Sequence, residues 1–228
     1  MDKQKVRDRI LEIGIVPVVR ASSPVEARIA ADAVCRGGIP IVEITMTVPG
    51  ALEVIRELRK NSASDVLVGA GTVLNAEAAR RCLDAGAQFL VSPGLNLQTV
   101  ELAVREEKLM MAGALTPTEV ITAWEAGADL VKVFPCGQVG GAKYIKALKG
   151  PLPQVPLVPT GGVNLNTAAE FIEAGAAALG VGGELVQADA LKSNKPEIIV
   201  ENARKFLAIV RQARAQMASS GIAAKSSH

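Results

Sequence analysis

The chain has 228 residues, 49% of them hydrophobic and 21% charged, and a net charge of +2. That length suits one barrel-sized domain, which takes about 250 residues, and is ample to bury a core. Acids and bases are mixed along the chain, so the basic stripe of a nucleic-acid binder is missing, and no apolar run approaches the roughly 20 residues that span a bilayer.

A leading helix is expected over Asp2–Ile13, where charges and apolar residues alternate at helical spacing without the apolar stretch of a signal peptide. Short apolar, β-branched runs then alternate with amphipathic ones. A strand over Ile15–Arg20 leads to a helix over Pro24–Arg36, Ile41–Met46 to Pro49–Lys60, Val66–Thr72 to Ala76–Ala85, and Phe89–Ser92 to Gln98–Glu107. In the second half Met110–Gly113 leads to Thr118–Ala126, Leu130–Phe134 to Ala142–Leu148, Leu157–Thr160 to Leu165–Ala174, and Ala178–Val181 to Pro196–Gln216. A glycine phrase such as Ala85-Gly86-Ala87 or Ala126-Gly127-Ala128 ends several helices, which suits the left-handed residue after a helix C-terminus.

Strands that are apolar throughout and separated by helices belong to a parallel sheet covered on its outer face. Eight such units predict an α/β fold, a (β/α)8 TIM barrel, with the leading helix closing its bottom. An open doubly wound sheet would need fewer units and a glycine-rich turn after its first strand, which here reads Arg20-Ala21-Ser22-Ser23. The barrel domain is expected over residues 1–218, with Ser219–His228 a loose polar tail.

Two absences narrow the chemistry. His228 is the only histidine, so a Ser-His-Asp triad, a Cys-His pair or a histidine-ligated metal would have to draw on the expected tail. Cys35, Cys82 and Cys136 are odd in number and far apart, which suggests reduced thiols, and cytoplasm is the expected location. Composition excludes a histidine-ligated zinc, though not a carboxylate-bound Mg2+, and no cofactor is called for.

A barrel of this kind carries its active site at the C-terminal ends of the strands. The polar residues there are Arg20, Glu43, Thr45, Thr47, Thr72, Ser92 and Lys132, with glycine turns at Thr160-Gly161-Gly162 and Gly180-Val181-Gly182-Gly183. Side chains alternate along a strand. If Val131 and Val133 pack against helices, Lys132 points inward. By the same parity Glu43 points inward between Val42 and Ile44. Unpaired buried charges are costly, so these two need an explanation. One is a structural ion pair. The other is nucleophilic catalysis: burial and a neighbouring cation, with Arg20 the candidate, favour a free lysine amine, which condenses with a ketone to an imine. Glu43 is then the proton shuttle. Cys136 reads as a spectator thiol, Trp124 as packing or interface, and Lys143, Lys146 and Lys149 as a solvated face.

The sequence resembles the class I 2-keto-3-deoxy-6-phosphogluconate (KDPG) and 4-hydroxy-2-oxoglutarate (KHG) aldolases from about Ile13 to Val210. The residues carrying the resemblance are Pro17-Val18-Val19-Arg20, Val42-Glu43-Ile44-Thr45, Val68-Gly69-Ala70-Gly71-Thr72-Val73, Val91-Ser92-Pro93-Gly94, Val131-Lys132-Val133-Phe134-Pro135 and Pro159-Thr160-Gly161-Gly162-Val163. It implies that Lys132 is the Schiff-base lysine and Glu43 the general acid/base. It implies a pyruvyl pocket at Thr72, Pro93 and Phe134, further substrate contacts at Arg20 and Thr47, and a distal phosphate held by Thr160, Gly161, Gly162, Gly182 and Gly183. The implied reaction splits KDPG into pyruvate and glyceraldehyde 3-phosphate, or KHG into pyruvate and glyoxylate, without cofactor, in a homotrimer. KDPG cleavage would place the chain in Entner-Doudoroff carbohydrate metabolism. Two positions depart from what many members carry, an arginine at Thr47 and a serine at Gly183. Both losses remove polar contacts to the substrate and favour an unphosphorylated 4-hydroxy-2-keto acid or another 2-keto-3-deoxy acid such as phosphogalactonate. The glycine turns alone also suit a phosphate-binding barrel enzyme without covalent chemistry.

Overall fold

The computed structural model describes residues 2–225. Eight strands form one parallel sheet: β1 (Ile15–Val19), β2 (Ile41–Thr45), β3 (Leu67–Gly71), β4 (Phe89–Val91), β5 (Leu109–Ala114), β6 (Leu130–Val133), β7 (Leu157–Pro159) and β8 (Leu179–Val181). Each pairs with its successor as far as β7, and β1 also pairs with β8. The ring closes between β7 and β8 through a bridge from Thr160 to Gly180. Gly180 is needed there, since a Cβ would lie 2.1 Å from Thr160 Oγ1. The fold is the (β/α)8 TIM barrel that the eight repeated units predict.

The helices are α1 (Lys3–Ile13), α2 (Pro24–Arg36), α3 (Ala51–Asn61), α4 (Ala76–Asp84), α5 (Leu97–Arg105), α6 (Pro117–Glu125), α7 (Ala142–Lys149), α8 (Ala168–Glu173), α9 (Ala188–Lys192) and α10 (Glu197–Lys225). Local chemistry starts several of them. The side chains of Ser23, Asn75 and Asn96 accept the N–H three residues on, and Thr116 forms a capping box with Glu119. Every residue of the eight strands is buried, which is why the strands read as unbroken apolar runs.

Inward and outward positions follow the expected parity. Val42 faces α2 and α3, lining a groove with Ala31, Cys35 and Leu58. Phe89 fills the interior against Gly69, where a Cβ would lie 2.3 Å from the ring. At the bottom α1 buries Val6 and Ile10, and Lys3 pairs with Asp129, just before β6, at 2.9 Å. From α10 the Arg214 guanidinium donates to the carbonyls of Glu12 and Ala177 at 2.8 and 2.9 Å.

Some boundaries differ from the sequence reading. The helix expected from Leu165 starts at Ala168, because Asn164 Oδ1 accepts the N–H groups of Asn166 and Thr167 and holds a turn. The 3-10 turn Cys136–Val139 and the short α9 had no clear signal. Helix α10 runs past Gln216 to Lys225, through most of the expected loose tail from Ser219. Residues 226–228, with His228, lie outside the described residues. Lys149 is not on a solvated face: it is half-buried and donates to the carbonyls of Pro153 and Val155 at 2.6 and 3.0 Å. Trp124 packs half-buried against the core.

Candidate active site

Lys132 sits on β6, in register with Gly113 of β5 and Val158 of β7. Its side chain is only 3% exposed, and Nζ lies 5.4 Å from the centre of the Phe134 ring, within cation–π range. Gly113 makes room beside it. A Cβ there would lie 2.3 Å from the Pro93 backbone, so the turn after β4 leans over this strand position. Ser92 Oγ fixes that turn by accepting the Gly113 N–H at 3.0 Å.

Glu43 sits on β2 and is 1% exposed. Its side chain lies over Gly71 at the end of β3, where a Cβ would be 1.8 Å from Oε1. Oε1 is buried without a hydrogen-bond partner among the described residues. Burial raises the Glu43 carboxyl above its ordinary value, opposed by the charges of Lys132 and Arg20. Lys132 and Glu43 form no salt bridge within 4.0 Å. The arrangement is a buried amine and a buried carboxyl, near enough to feel each other and not neutralised by contact. Such a carboxyl keeps a proton more readily than one in water and is suited to hand it over.

Beyond this pair a cleft of roughly 120 Å3 is lined by Arg20, Phe134, Thr160, Gly161, Gly162, Gly182 and Gly183, together with Val18, Val163, Gly180 and Glu184. Gly161 and Gly162 take φ of 86° and 79°, a left-handed pair open to glycine. This turn packs on the one after β6. The N–H groups of Cys136 and Gly137 donate to the carbonyls of Thr160 and Gly161 at 2.9 Å each. Thr160 Oγ1 is buried and has no partner among the described residues.

Seven of the residues singled out in the sequence line this one cleft, and Lys132 and Glu43 lie buried inside the barrel. Thr72, half-buried after β3, holds φ of 57°, a strained value for a β-branched residue. Pro93 is half-buried at the mouth. Thr47 is exposed, does not line the cleft, and shares a 2.7 Å hydrogen bond with Thr45, which also donates to the Val19 carbonyl at 3.1 Å. Cys136 is buried, its thiol pushed up to about 11 by burial. A larger groove of about 360 Å3 lies on the outer surface by α2 and α3 but holds no buried charged pair. Among the described residues no three His, Cys, Asp or Glu gather to hold a metal ion, and no helix is long and apolar enough to cross a membrane.

A sequence model described as "KDPG and KHG aldolase" matches residues 6–201, most of the chain. The chain belongs to the KDPG and KHG aldolase family. One relative within it is the 2-dehydro-3-deoxy-phosphogluconate aldolase of Haemophilus influenzae, 33% identical over 208 residues, 91% of this chain and 98% of that one. Among solved structures, the KDPG aldolase of Legionella pneumophila, with pyruvate captured at low pH as a covalent carbinolamine intermediate, superposes with a TM-score of 0.81. It is 29% identical over 87% of this chain and 96% of that one. A designed cube-shaped cage, made by fusing symmetric oligomeric domains, matches with a TM-score of 0.85 and 30% identity, covering 93% of this chain and 77% of that one.

Sequence reasoning missed three features around this candidate site. Ser92 was noted only as a strand end, although a buried serine in an apolar run signals a hydrogen-bonding duty. Gly71 was read as part of a phrase, not as the space Glu43 occupies. Nothing in the sequence sets Glu184, which lines the cleft, apart from other surface glutamates.

Proposed function

We propose that this chain is a class I aldolase that cleaves 2-keto-3-deoxy acids reversibly to pyruvate and an aldehyde, with KDPG and KHG as its substrates. The observation that carries this reading is the buried Lys132 amine beside a desolvated Glu43 whose Oε1 has no partner among the described residues. The Lys132 amine adds to the C2 ketone, and the carbinolamine loses water to give a protonated imine. The C3–C4 bond breaks, its electron pair enters the imine to give an enamine, and the C4 hydroxyl proton leaves as the aldehyde forms. Protonation of the enamine at C3 and hydrolysis release pyruvate and the free amine. Glu43, directly or through one water, moves the protons to and from the carbinolamine and the C4 hydroxyl. Thr72, Pro93 and Phe134 form the pyruvyl end, Arg20 and Thr47 contact the substrate beyond it, and the cleft of Thr160, Gly161, Gly162, Gly182 and Gly183 receives the far end.

We place the working protein in the cytoplasm as a homotrimer of one barrel domain per chain. Three cysteines without a disulfide suit a reducing compartment. Leu74, Leu97 and Ile121, on successive units of the barrel, are 61%, 45% and 40% exposed and offer an apolar face for self-association. Sedimentation equilibrium checks the trimer. The aldolase reading is tested by proton NMR of pyruvate in D2O. The protein should exchange the methyl protons through the enamine, and Lys132→Ala should not. Exchange that survives the substitution would end the reading.

A further inference from the structure

Among the described residues two buried polar residues belong to helices, Thr99 of α5 and Asn202 of α10. Thr99 serves its own helix, donating to Asn96 Oδ1 at 2.9 Å. Asn202 is 8% exposed, and its neighbours on α10, Ile199, Val200, Ala203 and Phe206, are buried and apolar. An amide side chain in such company is costly unless it is hydrogen-bonded. Its bond leaves the helix. Nδ2 donates to the backbone carbonyl of Glu184 at 3.3 Å, in the turn after β8.

That turn, Gly182-Gly183-Glu184, lines the distal cleft. It has two anchors. On one side the Gly182 carbonyl accepts the N–H groups of Leu185 and Val186 at 3.0 and 2.9 Å, and both of those residues are buried. On the other is Asn202, since no backbone N–H reaches the Glu184 carbonyl among the described residues. The N–H groups of Gly183 and Glu184 have no backbone acceptor among the described residues either, so they are donors open to a ligand. Two such donors serve one oxygen-rich chain end only while both point at the same place. Packing does not hold them there, because a Cβ at Gly183 would meet nothing within 4 Å. Hydrogen bonds must do so.

We propose that Asn202 is a positioning residue for the distal cleft: from the outer helix it sets the turn whose open N–H groups receive the far end of the substrate. This rests on the aldolase reading above. The test uses Asn202→Leu, which fills the same space among apolar neighbours and removes the donor, and Asn202→Asp, which keeps the shape and removes the donor. Retro-aldol kinetics on KDPG, pyruvate methyl exchange and urea unfolding are measured on both variants and the wild type. KM for KDPG should rise roughly five- to tenfold in both variants, the scale of one hydrogen bond, with kcat within about twofold. Pyruvate is too short to reach the turn, so its exchange should not change, and the Leu variant should unfold at no less urea than the wild type. An unchanged KM in either folded variant, with exchange intact, would overturn the proposal and leave the aldolase reading standing. Exchange that falls in step with the rise in KM would also overturn it, making Asn202 a support of the whole barrel. A wild-type protein that exchanges pyruvate but leaves KDPG uncleaved would overturn it too. A wild-type protein without exchange would overturn both readings.

Discussion

Gly71→Ala is a small change with a large expected cost. Gly71 ends β3 in register with Thr45, and the Glu43 side chain crosses directly above it. An added methyl carbon would lie 1.8 Å from Oε1, 2.5 Å from Cδ and 2.7 Å from Cγ, so no rotation of the carboxylate alone relieves the clash. Reaching ordinary contact of about 3.5 Å requires the whole Glu43 side chain to retreat by about 1–2 Å. It is enclosed on all sides, so the retreat also strains its neighbours, at about 1–3 kcal/mol. Displacing a reacting group by about 1 Å costs on the order of 10²-fold in rate. Retro-aldol kcat/KM should therefore fall about 100-fold while the protein remains folded, with urea unfolding showing the smaller stability loss. Gly94→Ala, whose Cβ would meet nothing within 4 Å, is the control for stability. A Gly71→Ala protein with nearly full kcat/KM would show that the position of Glu43 does not matter to the chemistry.

Glu43→Gln should lower kcat/KM by about 10²–10⁴-fold, the range of general acid–base catalysis, and leave the fold intact. It should also change the pH dependence of stability. Burial raises the Glu43 carboxyl above 4.5, so the folded chain keeps a proton that the unfolded chain releases. Stability from this group is present below that pH and declines as pH rises above it, until the folded carboxyl ionises as well. Urea midpoints measured from pH 4.5 upward should fall less in the Gln variant, and parallel curves would refute the assignment. Thr72→Gly should relax the strained φ of 57° and gain about 1 kcal/mol of stability while weakening pyruvate turnover. Loss of both would show that the threonine is there for packing. Gly69→Ala should lower the melting temperature, because its methyl group would strike the buried Phe89 ring at 2.3 Å, with a cost of about 1–3 kcal/mol; an unchanged melting curve would contradict that packing.

The barrel was legible because strands buried on both faces must be apolar throughout, as Ile15–Val19 and Leu67–Gly71 are. Parity alone then turned Glu43 and Lys132 inward, since their neighbours Val42, Ile44, Val131 and Val133 had to meet the helices. The glycine turns that line the distal cleft were visible as turns. What could not be read depends on approach between strands distant in sequence: Glu43 over Gly71, the Pro93 turn over Gly113, Thr160 against Gly180. A glycine in a strand announces that something comes close without saying what. Glu184 was illegible for a different reason. An exposed glutamate is the commonest kind of surface residue, and nothing in the sequence marks this one as lining the distal cleft. The extension of α10 beyond Gln216 had no apolar periodicity to reveal it.

The central claim is that one sheltered amine forms a covalent bond with a ketone. Reduction with borohydride in the presence of pyruvate, followed by peptide mass mapping, tests it most directly. A three-carbon adduct on Lys132, with irreversible loss of activity and no adduct when pyruvate is omitted, is the predicted result. An unmodified Lys132, or modification confined to exposed lysines such as Lys143 and Lys146 while Lys132 stays free, would contradict it.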